Sequence, residues 1–385
     1  MRRVILVAAA ILAGCLPAAA AGDDLARVYA RVLKNPGNSE INLEYARLAE
    51  GAGKLRWALQ AYERVVANDP GNEEAQRGLA RIRRKLQPDT TQWVAEIGAA
   101  WETNPRYTNG NPANLQQPRS EFQGFGSLQM RDERAAGDMR WRTSALVTGL
   151  VHQNEGDLDY GYAGATTGPV IDFFQASTLH LGLGGGASVL KHRLFYSEAI
   201  ATATIEKEAW GAMQSIAFRG GYRDYDDFFP VSHGYYTEAR AKISVPDAFW
   251  EDNLLVVLPW VRWSGIKGTA GTTITITDLQ PAAYVEFGTR AELVRPIGNG
   301  IVAGPTMTVF ARNYHADRLF YEPTVKRHDV IAGPGAVVWF PTIFTDWKGV
   351  QTALKLEYQY YRDNSNDATR SFDDHIVATS LVMRF

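Results

Sequence analysis

Cysteine is almost missing from this chain. Cys15 is the only one in 385 residues, so neither a disulfide framework nor a cysteine-metal centre is open to it, and its core has to come from burial and backbone pairing. Long apolar runs are missing as well. Beyond the N-terminal segment the longest is Leu254 to Leu258, against the roughly eighteen residues a membrane helix needs. An excess of one charge is also lacking: 40 Lys and Arg stand against 42 Asp and Glu, a net −2 with no basic stripe, which argues against a nucleic-acid partner. If the chain sits in a membrane it must do so as a closed sheet, since helices and closed barrels alone satisfy every backbone group in hydrocarbon.

Catalytic and cofactor constellations are equally scarce. Gly182-Leu183-Gly184-Gly185-Gly186-Ala187 has a dinucleotide-type glycine spacing, but a strand follows it where the motif needs a helix. The seven histidines are scattered, with no pair at metal-ligand spacing. His375 with Ser371, or His180 with Ser177, could form the Ser and His pair of a barrel lipase, but no acid is linked to either. Asp363-Asn364-Ser365-Asn366-Asp367 alternates oxygen ligands like a calcium loop, yet it has no glycine at the sixth position and His375 at the twelfth. No enzyme, metal or cofactor is expected.

Three kinds of segment are present. Residues 1–21 read as an export signal: Arg2 and Arg3, then the apolar stretch Val4 to Leu12, then small residues. Two cleavage patterns overlap there. Leu12-Ala13-Gly14-Cys15 resembles a lipoprotein processing box, while Ala19-Ala20-Ala21 after Pro17 resembles an ordinary site, so Cys15 is either lipidated or removed.

Residues 22–88 form the second segment, with helices expected over 24–34, 39–51, 55–68 and 73–87. Asn35-Pro36-Gly37-Asn38 returns as Asp69-Pro70-Gly71-Asn72, the prolines 34 positions apart, which is the tetratricopeptide period. Setting Pro70 at the repeat-ending proline of that family puts Ala58 and Tyr62 at the helix crossing, with Leu55 nearby. Asn42 and Tyr45 depart from it, standing where Trp and Leu are usual.

From Trp93 to Phe385 the period becomes two. Trp93, Ala95, Ile97, Ala99 and Trp101 oppose Glu96, Gly98, Ala100 and Glu102. The same alternation places Glu238, Arg240, Lys242, Glu286, Arg290, Glu292, Lys355 and Glu357 on the polar face, as lumen candidates of mixed sign. About fourteen such strands can be counted, with long connections alternating with short turns as outer-membrane barrels prefer. Pro259, Pro305 and Pro334 fall inside expected strands and cannot donate to a ladder, which puts those registers in question. The final strand alternates through Leu381 and Met383 to Phe385 and resembles the closing strand of bacterial outer-membrane barrels, where it acts as the insertion signal. That resemblance implies the barrel assembly machinery and outer-membrane lipid as partners.

The fold class expected is therefore α + β: a short helical tetratricopeptide domain followed by an antiparallel transmembrane β-barrel of about fourteen strands, over 93–385. Gly98-Ala99-Ala100-Trp101-Glu102-Thr103-Asn104 resembles the first strand, and Tyr360-Tyr361-Arg362-Asp363-Asn364-Ser365-Asn366 the last hairpin, of the surface lipoprotein assembly modifier family. That resemblance implies an outer-membrane location with the helical domain in the periplasm. It also implies a translocation or assembly channel that delivers a protein or surface lipoprotein to the cell surface. Exopolysaccharide exporters share the layout, so a polysaccharide cargo is the alternative, and a diffusion porin comes third. Several aromatics on the polar face would favour sugar chains, whereas only Phe125, Tyr236 and Tyr284 are evident.

Overall fold

The computed structural model describes residues 18–86, 89–107, 118–136, 139–173, 177–225, 233–266, 283–318, 325–341, 350–367 and 370–385. Most of the expected signal segment, Cys15 included, lies outside them. Two compact units divide close to Pro88 and Asp89.

The helical unit consists of α1 (Ala18–Lys34), α2 (Ser39–Gly51), α3 (Leu55–Asn68) and α4 (Glu73–Leu86). Its first helix begins earlier than the expected 24, because the alanines at 18–21 extend it, alanine being the strongest helix former. The repeated turn acts as repeated capping. Asn38 Oδ1 accepts from the Ile41 amide and Asn72 Oδ1 from the Ala75 amide, both at 3.0 Å, so each turn satisfies a backbone donor that the helix start leaves open. Ala58 and Tyr62 are buried at the crossing, with Val65, Ala61 and Ala49 around them and Leu55 packed at the edge. Pro70 stands exposed in its turn. Gly78 on α4 completes this contact, since a Cβ there would overlap the Tyr62 ring. The two departures from the repeat pattern find their own uses: buried Asn42 donates to the Pro36 and Asn38 carbonyls at 2.9 and 2.8 Å, and Tyr45 packs on Tyr29 at 5.3 Å. Across the stack Glu50 takes Arg81 at 2.6 Å, Lys85 at 3.3 Å and the Tyr62 hydroxyl at 3.1 Å. The Arg81 hydrogen bond holds its carboxyl down at about 2.

The second unit is a closed barrel of fourteen antiparallel strands, each bonded to its sequence neighbours, with the last closing on the first. They are β1 (Thr90–Glu102), β2 (Glu121–Ala136), β3 (Met139–His152), β4 (Tyr160–Phe173), β5 (Ser177–Leu190), β6 (Arg193–Ala209) and β7 (Ala212–Asp224). Then follow β8 (His233–Pro246), β9 (Leu254–Gly265), β10 (Ala283–Gly298), β11 (Ile301–Arg318), β12 (Lys326–Pro341), β13 (Gln351–Ser365) and β14 (Phe372–Arg384). Strand β1 starts ahead of the expected Trp93, because Thr90, Thr91 and Gln92 already pair with β2. At the seam Ile97 faces Leu381 and Ala95 faces Met383, and Trp93 and Phe385 exchange backbone bonds at 2.7 and 3.1 Å. Leu381, Met383 and Phe385 thus share the outward face.

Closure leaves no edge, and the two faces separate by chemistry. Outward stand Ile97, Phe122, Val147, Leu183, Phe218 and Val377, all solvent-exposed, with Trp101 and Tyr235 toward one end and Trp141 and Trp210 toward the other. Two-residue turns occur at both ends: Trp210-Gly211 and Asn299-Gly300 at the end that carries Thr90 and Arg384, and Lys191-His192 at the other, all with positive φ at both central residues, the geometry of a hairpin that follows strand twist. At the far end the connections 103–120 and 266–282 are the longest.

The three prolines remain inside their strands. Pro259, Pro305 and Pro334 all point outward, and Met307 pairs with Pro334 in a β11–β12 register that is continuous from Val302 to Asn313. Toward β13 the pairing skips Gly333 and Pro334, because proline has no N–H to give. The inward side chain of Gln359 fills the gap, donating to the Gly333 and Pro334 carbonyls at 2.5 and 3.1 Å.

Candidate functional site

The alternation that exposes Leu183 and Phe218 turns the intervening residues into the barrel, where an unpaired charge would be costly. Most inward charges are accordingly met by others, in groups that join several strands. Glu198 on β6 is the centre of one. It accepts from Arg219 at 2.6 Å, Arg223 at 3.0 Å and the hydroxyls of Tyr162 and Tyr236 at 2.7 Å each. The Arg223 guanidinium lies over both the Tyr196 and Tyr236 rings, at 4.6 and 4.4 Å.

A second group lies toward the seam end. Arg142 on β3 reaches both Glu133 and Glu206 at 2.8 Å, and Arg131 on β2 reaches the same two carboxylates at 2.7 and 3.2 Å. Glu206 belongs to β6, so these bonds pass in front of the intervening strands and narrow the lumen. Arg290 on β10 does the same toward Glu357 on β13 at 2.6 Å, and Lys355 joins that carboxylate at 2.6 Å.

The third group crosses β8 to β11. Glu238 holds Arg262 at 2.5 Å and pairs with Arg240; Glu286 holds Arg312 at 2.5 Å and the Trp260 indole N–H at 2.7 Å. At the far end Arg327 binds Asp329 at 2.5 Å and lies over the Tyr314 ring.

All eight residues expected to face the lumen share the inward parity of their strands. Six of them, Glu238, Arg240, Glu286, Arg290, Lys355 and Glu357, enter these groups; Lys242 and Glu292 form no ion pair among the described residues. The aromatic count was too low. Besides Phe125, Tyr236 and Tyr284, the register turns Tyr162, Trp260, Phe310, Tyr314, Trp339 and Tyr361 inward as well. Alternation alone would have found them once each register was fixed. The arginine-centred groups had no comparable signal, because a strand pattern gives a face but no partner.

His180 and Ser177 fall on opposite faces of β5. His375 points outward and meets the Tyr358 hydroxyl at 2.9 Å, while the Ser371 hydroxyl is bonded to the Ser365 backbone. The glycine run lies within β5. Among the described residues no three His, Asp or Glu gather as a metal site.

No family model matches the chain, and no curated protein matches it. Several solved structures are distantly similar. The outer membrane channel DcaP of Acinetobacter baumannii matches at 8% identity and a TM-score of 0.44, over 77% of this chain and 97% of that one. A bacterial polysaccharide outer membrane secretin matches at 10% and 0.40, over 76% and 97%. A BenF-like porin from Pseudomonas fluorescens Pf-5 matches at 10% and 0.37, over 76% and 98%.

Proposed function

We propose that the protein is an outer-membrane channel that passes an extended hydrophilic chain outward, with a glycan as the cargo that suits it best. The observation that carries this reading is the narrowed lumen. Arg142 with Glu206, and Arg290 with Glu357, reach between strands that are not neighbours. The lumen wall carries cavities of about 310 and 480 Å³, each with room for sugar rings. The inward aromatics beyond Phe125, Tyr236 and Tyr284 add to the case for sugars, because ring faces and hydroxyl-bonding groups together suit saccharides. An apolar outer band between aromatic belts supports the membrane setting.

Delivery of a surface lipoprotein or other protein is the second reading, and a feature of the helical unit favours it. A groove of about 970 Å³ runs across α1, α2 and α3, with Tyr29 and Trp57 exposed along it, and could receive a peptide segment. In this reading the helical unit lies in the periplasm. A diffusion porin fits least, since Arg142 with Glu206 and Arg290 with Glu357 reach in front of the wall and narrow the lumen.

The experiment is a deletion strain compared with its parent for surface glycan and for surface protein in parallel. Loss of a glycan supports the first reading, and loss of a lipoprotein the second; no change in either sinks both. An epitope after Asn366 should be labelled on intact cells and one at Gly298 should not, because they lie at opposite ends of the barrel.

A further inference from the structure

We infer that the lumen wall is a binding site for acidic saccharides, with two adjoining subsites for successive sugar units, one along β6–β10 and one along β1–β7; the inference rests on the glycan reading above. The first subsite is the cavity of about 310 Å³, at the lower end of what small-molecule sites occupy. Arg219, Arg223, Arg240 and Arg262 line it, and Glu238 is the one carboxylate among the lining residues.

The charges behind this surface do not cancel it. Glu198 serves Arg219 and Arg223, while Glu238 serves Arg240 and Arg262. Glu286 stands 3.8 Å from Arg262 but is held more closely by Arg312. Five arginines therefore share three carboxylates. Lys242, the next inward residue on β8, is exposed and adds a further cation. Availability differs among the arginines in a way that matters. Arg240 has 59% of its side chain exposed and Arg219 has 34%, so both can turn donors toward an anion without dismantling the wall. Thr202, Thr204 and Ser264 supply hydroxyls in the same cavity, which is what a sugar ring asks for alongside its carboxylate.

The second subsite is the cavity of about 480 Å³, which carries Arg131 and Tyr162. Arg219 and Thr202 line both cavities, so the two meet along the wall with an arginine at the junction. A linear acidic polymer could place one carboxylate at each while moving along the lumen.

The test is calorimetric titration of the detergent-solubilised full chain with trigalacturonate, galacturonate and maltotriose at low salt. Trigalacturonate should bind at least tenfold more tightly than galacturonate, maltotriose should give no heat, and added salt should weaken the binding. R240Q should lower the trigalacturonate affinity about tenfold, and R240Q/K242Q should lower it further. Arg240 is exposed, so the variants should retain the heat-modifiable gel mobility of a closed barrel. Equal binding of maltotriose, or an R240Q affinity equal to that of the parent, would overturn the site. Equal binding of galacturonate and trigalacturonate would overturn the paired subsites. Retained acid-sugar binding beside an unaltered cell surface would count against the export reading and leave the site standing; lost binding beside an altered surface glycan would do the reverse.

Discussion

In the helical unit Val65 is fully buried while Arg77 stands in solvent; in the barrel Leu183 is 70% exposed while Arg327 is 1% exposed. One chain thus carries two opposite arrangements. The arm gains stability from water leaving the contacts of Ala58, Tyr62 and Val65, at about 25 cal/mol per Å² of apolar surface. The barrel keeps apolar side chains outside, so its interior has to be held by ladder bonds and by pairs such as Arg142 with Glu206. A substitution in one unit should therefore fail for a different reason than one in the other, and should leave the other unit intact.

The largest effect should come from Gly304→Leu. A Cβ at this position would overlap the Leu293 carbonyl, a backbone atom that cannot swing aside, beside a proline that already lacks an N–H. A loss on the order of 3 kcal/mol or more is expected. The heat-modifiable gel mobility of a closed barrel should be lost while the helical circular dichroism of the arm persists; a normal mobility would show that the strands yield more readily than this packing allows.

Ala58→Trp is the counterpart in the arm. It overfills the crossing where Ala58 and Tyr62 are buried, at a cost of about 1–3 kcal/mol. Thermal melting followed by helical circular dichroism should shift downward with the barrel band unchanged, and co-operative loss of both units would refute their independence.

Acid should affect the arm through Glu50. Its folded carboxyl is held at about 2 against an ordinary 4.5, so the stabilisation is complete above pH 4.5 and is lost as pH falls from there toward 2. The Arg81 partner is 40% exposed, so solvent screening reduces the contribution to on the order of 1–2 kcal/mol. Glu50→Gln should flatten the acid limb of the arm's stability curve, and an unaltered acid limb would remove Glu50 as its cause.

The smallest effect on folding belongs to Trp57→Ala. Trp57 is 48% exposed in the helical groove, so stability should change by no more than about 0.5 kcal/mol. Surface delivery of a lipoprotein should nevertheless fall if the groove receives protein; full delivery would leave the arm without that role.

Much of this architecture was legible because both periods are strong. Helices α2 and α4 start directly after the Asn-Pro-Gly-Asn and Asp-Pro-Gly-Asn punctuation, and the inward parity of Glu238, Glu286 and Glu357 follows from alternation alone. What the pattern could not give is pairing across the lumen. Arg142 and Glu206 are 64 positions apart on strands that are not neighbours, and Glu198 collects partners from three other strands. Pro334 was ambiguous for a related reason: whether a strand tolerates a missing N–H depends on an outside group such as the Gln359 amide.

The seam has a consequence in time. Glu96 and Ser380 bond to one another from 284 positions apart, whereas Glu50 finds Lys85 only 35 positions away. Contacts that close large loops form slowly, so the arm should be complete while β1 still waits for β14. During that interval the nascent sheet has two open edges that can pair with any other strand. The pairing of Trp93 with Phe385 marks the end of that exposure.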